Sequence, residues 1–289
     1  MTPDEYCQNR AAGSGSSFYY SFLFLPPEKR RAITAVYAFC REVDDVVDEC
    51  SDAGVARAKL AWWRGEIGNT FAGEPQHPVG QALLPVVREY NLPQEYFLEI
   101  IDGMEMDLDQ VRYASFNELA LYCYRVASVV GLISAEIFGY QDRHTLKYAH
   151  DLGIAFQLTN ILRDVHEDAL RGRVYLPQDE LDACGVTLDD LRGEELTAPL
   201  RKLFTQQAQR AQQYYRQAFD KLPEVDRFVQ RSGLIMAAVY LTLLDRIQTE
   251  DYPVLRRRVR LSPWRKLWIA WRTARREAAR HARLARSRG

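Results

Sequence analysis

The chain has 289 residues, of which 47% are hydrophobic and 27% are charged, so it can bury a sizeable core and is not a disordered polyelectrolyte. Its formal net charge of −1 divides unevenly: residues 254–289 hold 13 of the 38 Lys and Arg residues and one of the 39 acids, a net of +12 that leaves −13 for residues 1–253. The acidic body disfavours nucleic-acid binding, and five cysteines without a C-x-x-C pair disfavour disulfides, zinc and dithiol redox chemistry.

Helical periodicity dominates the chain. Apolar residues recur at spacings of three and four, and alternating runs of Val, Ile and Thr are scarce, so the sequence predicts an all-α protein. No Gly/Ser-rich or Pro-rich linker divides it, which predicts one domain over residues 1–289 with a basic amphipathic segment at about 254–289. No uncharged run reaches the ~20 apolar residues that span a bilayer, and no signal-peptide pattern is visible, so we expect a cytoplasmic location.

The predicted elements follow in chain order. Pro26-Pro27 marks the start of a helix that continues through Glu49, after a small-residue loop at Gly13–Ser17. The helix that ends near Asp168 leaves through a second loop, Arg171–Arg173. The other helices are predicted at about 55–72, 80–90, 94–110, 116–138, 143–168, 196–221, 225–249 and 262–286.

Two acids of the helix over 27–49 point toward its apolar side. At about 100° per residue, Asp44 lies in the middle of the apolar stripe and Asp48 lies one turn further on the same side. Asp45 and Glu49 project away from this stripe, so we expect them to be solvated or to pair with neighbouring cations.

The helix over 143–168 repeats this pattern. Four oxygen-bearing side chains fall within a sector of about 80° beside its apolar face: Gln157, Asn160, Asp164 and Asp168. A lone acidic set is usually a solvated helix face, but two sets aimed inward need compensating cations because burying unpaired carboxylates is costly. Mg²⁺, or Mn²⁺ in its place, suits these oxygen ligands, whereas zinc prefers His or Cys and His166 faces away.

Basic residues accompany both acid sets. Arg41 precedes Asp44 by three residues, and Arg163 adjoins Asp164. Both arginines suit phosphate oxygens, and the alternative is that they serve as ordinary salt-bridge partners. Tryptophans among Arg and Lys near the end of the chain leave two readings open, peripheral contact with a membrane surface or a basic surface helix packed by its tryptophans.

These motifs together resemble the squalene/phytoene synthase family of head-to-head isoprenyl diphosphate synthases. The strings that carry the resemblance are Ser16–Tyr19, Tyr37–Arg41 leading into Asp44–Asp48, Tyr122–Gly131, Gln157–Asp168, and Arg171–Pro177. Within the family, Ser14–Pro27 and Gly103–Asp109 resemble bacterial presqualene diphosphate synthases of hopanoid pathways. The resemblance implies an isoprenoid-synthase helical bundle around a central apolar cavity, with two aspartate-rich helices facing each other across its mouth.

The resemblance also implies roles for individual residues. The Mg²⁺ ligands would be Asp44, Asp48, Asn160, Asp164 and Asp168. Contacts to the substrate diphosphate would come from Ser17 in a flap, Arg41, Gln157, Arg163, Tyr240 and Arg258, and the reaction centre would include Tyr122 and Tyr175. Related carotenoid-forming members often carry serine where Gly15 stands, so Ser14 or Ser16 would substitute there; the choice of Arg258 over Arg256, Arg257 and Arg260 depends on a one-residue gap.

The implied reaction is the condensation of two farnesyl diphosphates to presqualene diphosphate with release of diphosphate. Tyr122 or the released diphosphate would accept the proton lost when the cyclopropane closes. NADPH is not expected, because no G-x-G-x-x-G follows a strand. The alternatives are phytoene synthesis from two geranylgeranyl diphosphates, full squalene synthesis with NADPH, and a non-catalytic helical scaffold associated with membranes.

Overall fold

The computed structural model describes residues 1–13, 17–50, 52–110 and 112–288, apart from the side chains of Ser17, Tyr19 and Arg288. Among these residues the only β-structure is an isolated bridge between Arg112 and Val174, so the all-α prediction is confirmed. The α-helices are α1 (Pro3–Gly13), α2 (Ser17–Phe22), α3 (Pro27–Glu49), α4 (Ala53–Ala72), α5 (Pro78–Glu89), α6 (Gln94–Asp109), α7 (Phe116–Cys123), α8 (Val129–Phe138), α9 (His144–Leu170), α10 (Gln178–Cys184), α11 (Leu188–Arg192), α12 (Ala198–Lys221), α13 (Arg231–Thr249) and α14 (Pro263–Arg288).

The long helices begin and end close to their predicted bounds. Helix α3 starts with Pro27 in its first turn, where the missing N–H of proline costs nothing, and ends at Glu49 as predicted. Helix α9 ends at Leu170, and Gly172 follows with φ of +83°, a left-handed conformation that glycine adopts without strain. The predicted exit from the second acidic helix is therefore confirmed.

Three features differ from the predicted elements. Helix α13 begins at Arg231 rather than near 225, because the buried Asp226 accepts hydrogen bonds from the N–H groups of Gln141 and Asp142 and from Thr145, which holds the preceding residues in turns. The predicted helix over 116–138 is divided by a π-helical turn, Tyr124–Ser128. Four short helices were not predicted: α1, α2, α10 and α11.

The π-helical turn lies where α9 approaches it closely. A Cβ atom on Gly153 would lie 2.5 Å from Ser128 Cα, so only glycine allows the two backbones to come this near. The segment Phe116–Phe138 contains a stretch that is long and apolar enough by composition to cross a membrane, although the segment includes Glu118, Arg125 and Glu136. Half of that stretch is buried, and the segment packs against α6 and α9 as a core element.

Two hydrophobic cores frame the interior. One surrounds α9, α12 and α13, and the other surrounds α3 to α6 with α8. Helix α9 packs along α12 on one side and along α8 on the other, so it runs between the two cores. A cavity between them is lined by residues of both, and it contains the polar side chains described next.

Candidate active site

A cavity of about 970 Å³ extends along α9. Its lining includes residues of α9 from Tyr148 to Asp168, over which an α-helix rises about 30 Å. The other walls come from α2, α3, α6, the π-helical turn, α8, α13 and the start of α14. Charged side chains gather near Asp168 and apolar side chains near Tyr148, so the cavity has a polar and an apolar end.

Both predicted acid sets line this cavity. Asp44 and Asp48 come from α3, and Asn160, Asp164 and Asp168 come from α9. The helical phase inferred from sequence therefore directs these side chains to one space, although the two helices lie far apart along the chain.

Asp45 departs from the sequence prediction of a solvated acid. Its side chain is only 10% exposed and forms ion pairs with Arg10 and Arg41, both at 2.5 Å. The cause is α1, an unpredicted helix that packs over α3 and brings Arg10 to it. The alternative expectation, pairing with neighbouring cations, is correct for Asp45, whereas Glu49 is exposed.

Arginines pair with most carboxylates of the cavity. Arg41 Nη1 lies 2.6 Å from Asp44 Oδ2, and Arg173 Nη1 lies 3.0 Å from Asp48 Oδ1. Asp164 is held by two arginines, with Arg163 Nε at 2.7 Å and Arg258 Nε at 2.8 Å from Oδ1. Arg41 and Arg163 thus form the salt bridges that the sequence left open, and the same guanidinium groups suit phosphate oxygens.

Asp168 is the exception among the acids of the two predicted sets. No Lys, Arg or His nitrogen of the described residues lies within salt-bridge distance of its carboxylate. Burial, and then repulsion from Asp164, raise its pKa from 3.8 to about 7. Burial likewise raises the pKa of Asp44 to about 6, although Arg41 opposes the shift. The site therefore concentrates negative charge that a cation would stabilise.

Asn160 supplies a further oxygen. Its Oδ1 atom is buried and has no hydrogen-bond partner among the described residues, while its Nδ2 atom lies 3.3 Å from Gln157 Oε1. A buried carbonyl oxygen without a partner is costly, and a hard cation would satisfy it. The donor set of carboxylate and amide oxygens thus fits Mg²⁺, yet no three acidic, His or Cys side chains of the described chain form a preassembled metal cluster.

Asp107 is a cavity residue that the sequence reasoning missed. Tyr122 Oη donates to Asp107 Oδ2 at 3.0 Å, and Tyr175 Oη donates to Asp107 Oδ1 at 2.7 Å. The two rings stack with centroids 5.1 Å apart. Burial raises the pKa of Asp107 to about 6, and burial followed by the charge of Asp107 raises the pKa values of both tyrosines.

The signal for Asp107 was present in the sequence. It belongs to the string Gly103–Asp109, which contributed to the family resemblance but received no chemical role. Asp107 shares a helical face with the buried Gly103 and Met104 of α6, at spacings of four and three residues. This phase was sufficient to predict an inward carboxylate.

Several cations of the polar end were also missed. Arg171, Arg173, Arg260 and Lys266 all line the cavity beside Arg258. Arg173 is the most informative, because it joins the exit of α9 to Asp48 on α3.

The arginines of the basic segment after α13 have different partners, and these partners show which arginines reach the cavity. Arg258 contacts Asp164 and lines the cavity with Arg260. Arg256 donates to the Glu194 carbonyl oxygen, and Arg257 pairs with Glu250 instead.

The remaining predicted contacts have different outcomes. Gln157 and Tyr240 line the cavity, and Tyr240 packs against Phe156 with ring centroids 4.8 Å apart. Burial raises the pKa of Tyr240, so its hydroxyl stays protonated. The side chain of Ser17 lies outside the described residues, as do Ser14, Gly15 and Ser16.

Apolar and small side chains form the rest of the wall. Phe22, Leu152, Phe156 and Met236 face the cavity together with small residues of α8. Gly131 both lines the cavity and packs tightly, since a Cβ there would lie 2.7 Å from the carbonyl oxygen of Ala149. The apolar end can therefore shelter a hydrocarbon chain from water.

Sequence comparison relates this chain to enzymes of isoprenoid metabolism. A family model described as squalene/phytoene synthase matches residues 11–265. The 15-cis-phytoene synthase of Synechococcus elongatus is 36% identical over 275 residues, covering 91% of this chain and 89% of that protein. The chloroplastic phytoene synthase of Narcissus pseudonarcissus is 36% identical over 267 residues, and the match spans 90% of this chain but 63% of the plant protein.

Structural comparison agrees with the sequence matches. A crystal structure of a dehydrosqualene synthase in complex with ligand superposes with a TM-score of 0.88 at 28% identity, covering 96% of this chain and 97% of the other. The squalene synthase HpnC from Alicyclobacillus acidocaldarius superposes with a TM-score of 0.78 at 30% identity, covering 86% and 94%.

Proposed function

Because this chain belongs to the squalene/phytoene synthase family, we propose that it joins two farnesyl diphosphates head to head to form presqualene diphosphate. One observation carries the proposal. Asp44 and Asp48 of α3 line the same cavity as Asn160, Asp164 and Asp168 of α9, and hydrophobic side chains line the opposite end of that cavity. An anionic head group and a hydrocarbon tail thus each find a matching surface.

The polar end suits the release of diphosphate. Arg41, Arg163, Arg173 and Arg258 already lie beside the carboxylates, so a bound diphosphate would exchange into their guanidinium hydrogen bonds. Asp44, Asp48, Asn160, Asp164 and Asp168 would hold Mg²⁺, which would supply positive charge that stabilises the leaving group. Preorganised positive charge at a departing anion is commonly the largest catalytic contribution.

The apolar end suits the carbocation that remains. The walls near Leu152, Phe156 and Met236 exclude water, which would otherwise capture an allylic cation. The aromatic faces of Phe156 and Tyr240 can stabilise positive charge through their quadrupoles. Two prenyl chains held side by side would then react as an intramolecular pair.

The tyrosine pair offers a route for the proton that is lost on ring closure. The Tyr122 hydroxyl donates a hydrogen bond to Asp107, and its oxygen lone pairs remain available. Tyr122 can therefore accept a proton from the substrate while it passes its own hydroxyl proton to Asp107. Burial raises the pKa of Asp107 to about 6, so its carboxylate is a stronger base than an ordinary aspartate and can take up that proton. Tyr175 donates to the same carboxylate and fixes its orientation.

A second candidate is phytoene synthesis from two geranylgeranyl diphosphates. Its specific support is that curated relatives 36% identical to this chain are named phytoene synthases. The candidates differ in the length of the prenyl chain that the apolar end accepts.

Product analysis separates the candidates. The full chain is incubated with Mg²⁺ and either farnesyl or geranylgeranyl diphosphate, with and without NADPH, and lipids are identified by mass spectrometry. Presqualene diphosphate that accumulates in both NADPH arms supports the proposal. Phytoene from the longer substrate supports the second candidate. Squalene formed only with NADPH supports full squalene synthesis. If no arm releases diphosphate, the result favours the alternative of a non-catalytic scaffold.

A further inference from the structure

Helix α14 exposes three of the five tryptophans of the chain. Trp264, Trp268 and Trp271 are 82%, 54% and 51% exposed, although large aromatic side chains are normally buried. At about 100° per residue they fall within a sector of about 60° and form one surface, here called the tryptophan face. Isolated exposed tryptophans would point in several directions, whereas these three side chains point the same way.

The opposite side of α14 fixes this orientation. Ala270 and Glu277 are buried, and Glu277 accepts hydrogen bonds from Arg227 Nε at 3.2 Å and Nη2 at 3.1 Å. A buried carboxylate that loses such a partner is strongly destabilised, so α14 cannot turn its tryptophans inward without a large penalty. The tryptophan face is therefore a stable outer surface of the fold.

Cations surround the tryptophan face. Arg265, Arg272 and Arg275 are exposed on the same helix. The guanidinium carbon of Arg272 lies 5.2 Å from the Trp268 ring, and that of Arg275 lies 5.3 Å from the Trp271 ring. Tryptophan rings flanked by exposed cations match the boundary of an anionic bilayer, where rings lie at head-group level and cations meet lipid phosphates.

The first turn of α14 borders the cavity with the side that points away from the tryptophan face. Pro263 and Lys266 line the cavity, and at about 100° per residue Lys266 lies roughly 170° around the helix from the tryptophan face. Lys266 Nζ also lies 5.5 Å from the centroid of the Tyr20 ring of α2. The inner side of α14 therefore faces the cavity, and the tryptophan face stays free to contact another surface.

We propose that the tryptophan face and its flanking arginines dock the protein on an anionic lipid bilayer. The docking does not depend on the catalysed reaction.

Vesicle binding without substrate tests the docking. The full chain is sedimented with phosphatidylcholine vesicles and with vesicles that contain about one third phosphatidylglycerol. We expect binding to the anionic vesicles only, weakened by 0.5 M NaCl, because exposed charges are screened within a few ångströms at that ionic strength. Replacing Trp264, Trp268 and Trp271 by Ala should lower the partition coefficient at least tenfold.

Matched variants distinguish the surface from general effects. Trp62→Ala removes a tryptophan that is 48% exposed on α4, and it should leave vesicle binding unchanged. Changing Arg265, Arg272 and Arg275 to Gln should weaken binding at least tenfold. The same charge change at exposed residues of α3 and α12 should have a much smaller effect; the control positions are Arg30, Lys202 and Arg216.

Tryptophan fluorescence gives a second readout. Brominated lipids should quench the wild type, and they should not quench the triple Trp→Ala variant, which retains only Trp62 and Trp63. Equal loss of binding in Trp62→Ala, or no binding to anionic vesicles, would overturn the proposal. Self-association that the triple variant abolishes, without vesicle binding, would overturn it in favour of a second copy of the chain.

Discussion

Inorganic diphosphate and Mg²⁺ added together should stabilise this protein by more than the sum of their separate effects. Arginines form ion pairs with Asp44, Asp48 and Asp164, so Mg²⁺ alone meets carboxylates that are already paired. Diphosphate alone would bring more negative charge to this end of the cavity. With both present, the arginines can move to diphosphate oxygens and release the carboxylates to the metal.

The raised pKa of Asp168 gives the size of the electrostatic penalty that a bound cation can relieve. A carboxyl group whose pKa rises from 3.8 to about 7 costs on the order of 4 kcal/mol when it ionises inside the fold. The folded state binds this proton more tightly than the unfolded state, so stability without ligands should fall as pH rises from about 4 to about 7. Asp44 and Asp107, each with a pKa of about 6, act in the same direction.

The joint stabilisation by Mg²⁺ and diphosphate should increase with the fraction of these carboxylates that is ionised. Joint binding at a concentration 100 times Kd contributes about 2.7 kcal/mol, which corresponds to a Tm increase of roughly 4 to 5 °C for a chain of this length. We expect this increase above pH 7 and a smaller one below pH 6, where protons compete with Mg²⁺ for Asp168.

Differential scanning calorimetry between pH 5.5 and 8 provides the assay. Its four arms contain no addition, MgCl₂, sodium diphosphate, or both. Asp168→Asn should raise Tm in the first arm, because it removes the repulsion from Asp164, and should reduce the joint gain. Asp220→Asn, at an exposed acid of α12, serves as the matched control and should behave as wild type.

Additive effects of the two ligands would refute the proposed exchange of partners. A joint gain that Asp168→Asn leaves intact would refute the role of α9 in metal binding. Stability without ligands that rises between pH 5.5 and 7 would contradict the raised carboxyl pKa values.

Three further changes test individual contacts. Asp48→Asn should lower turnover at least 100-fold with an unchanged circular dichroism spectrum, because this exposed acid contributes to ligand binding more than to stability, and wild-type turnover would contradict its role. Gly153→Ala should destabilise the fold by about 1 to 3 kcal/mol in urea unfolding, since its Cβ would overlap Ser128, and an unchanged midpoint would count against that packing. Tyr148→Phe should be neutral or stabilising by up to about 1 kcal/mol, because the buried Tyr148 hydroxyl has no hydrogen-bond partner among the described residues; a loss above 1 kcal/mol would show that it has one.

The sequence by itself determined the helices and the inward phase of their acids. In helices α3 and α9 the direction of each side chain follows from the local sequence. Successive side chains turn by about 100°, and the apolar residues of each helix mark its buried side. Asp44, Asp48, Asn160, Asp164 and Asp168 could therefore be placed on interior faces before any contact was known.

Tertiary structure alone decided which residues meet those faces. Asp45 is buried because Arg10 arrives from α1, and Arg173 reaches Asp48 across the gap between α9 and α3. Asp107 becomes a partner of Tyr122 only because α6 packs against the π-helical turn that follows α7. Such pairs join positions distant in sequence, and helical periodicity carries no information about the neighbour on the other side of a cavity.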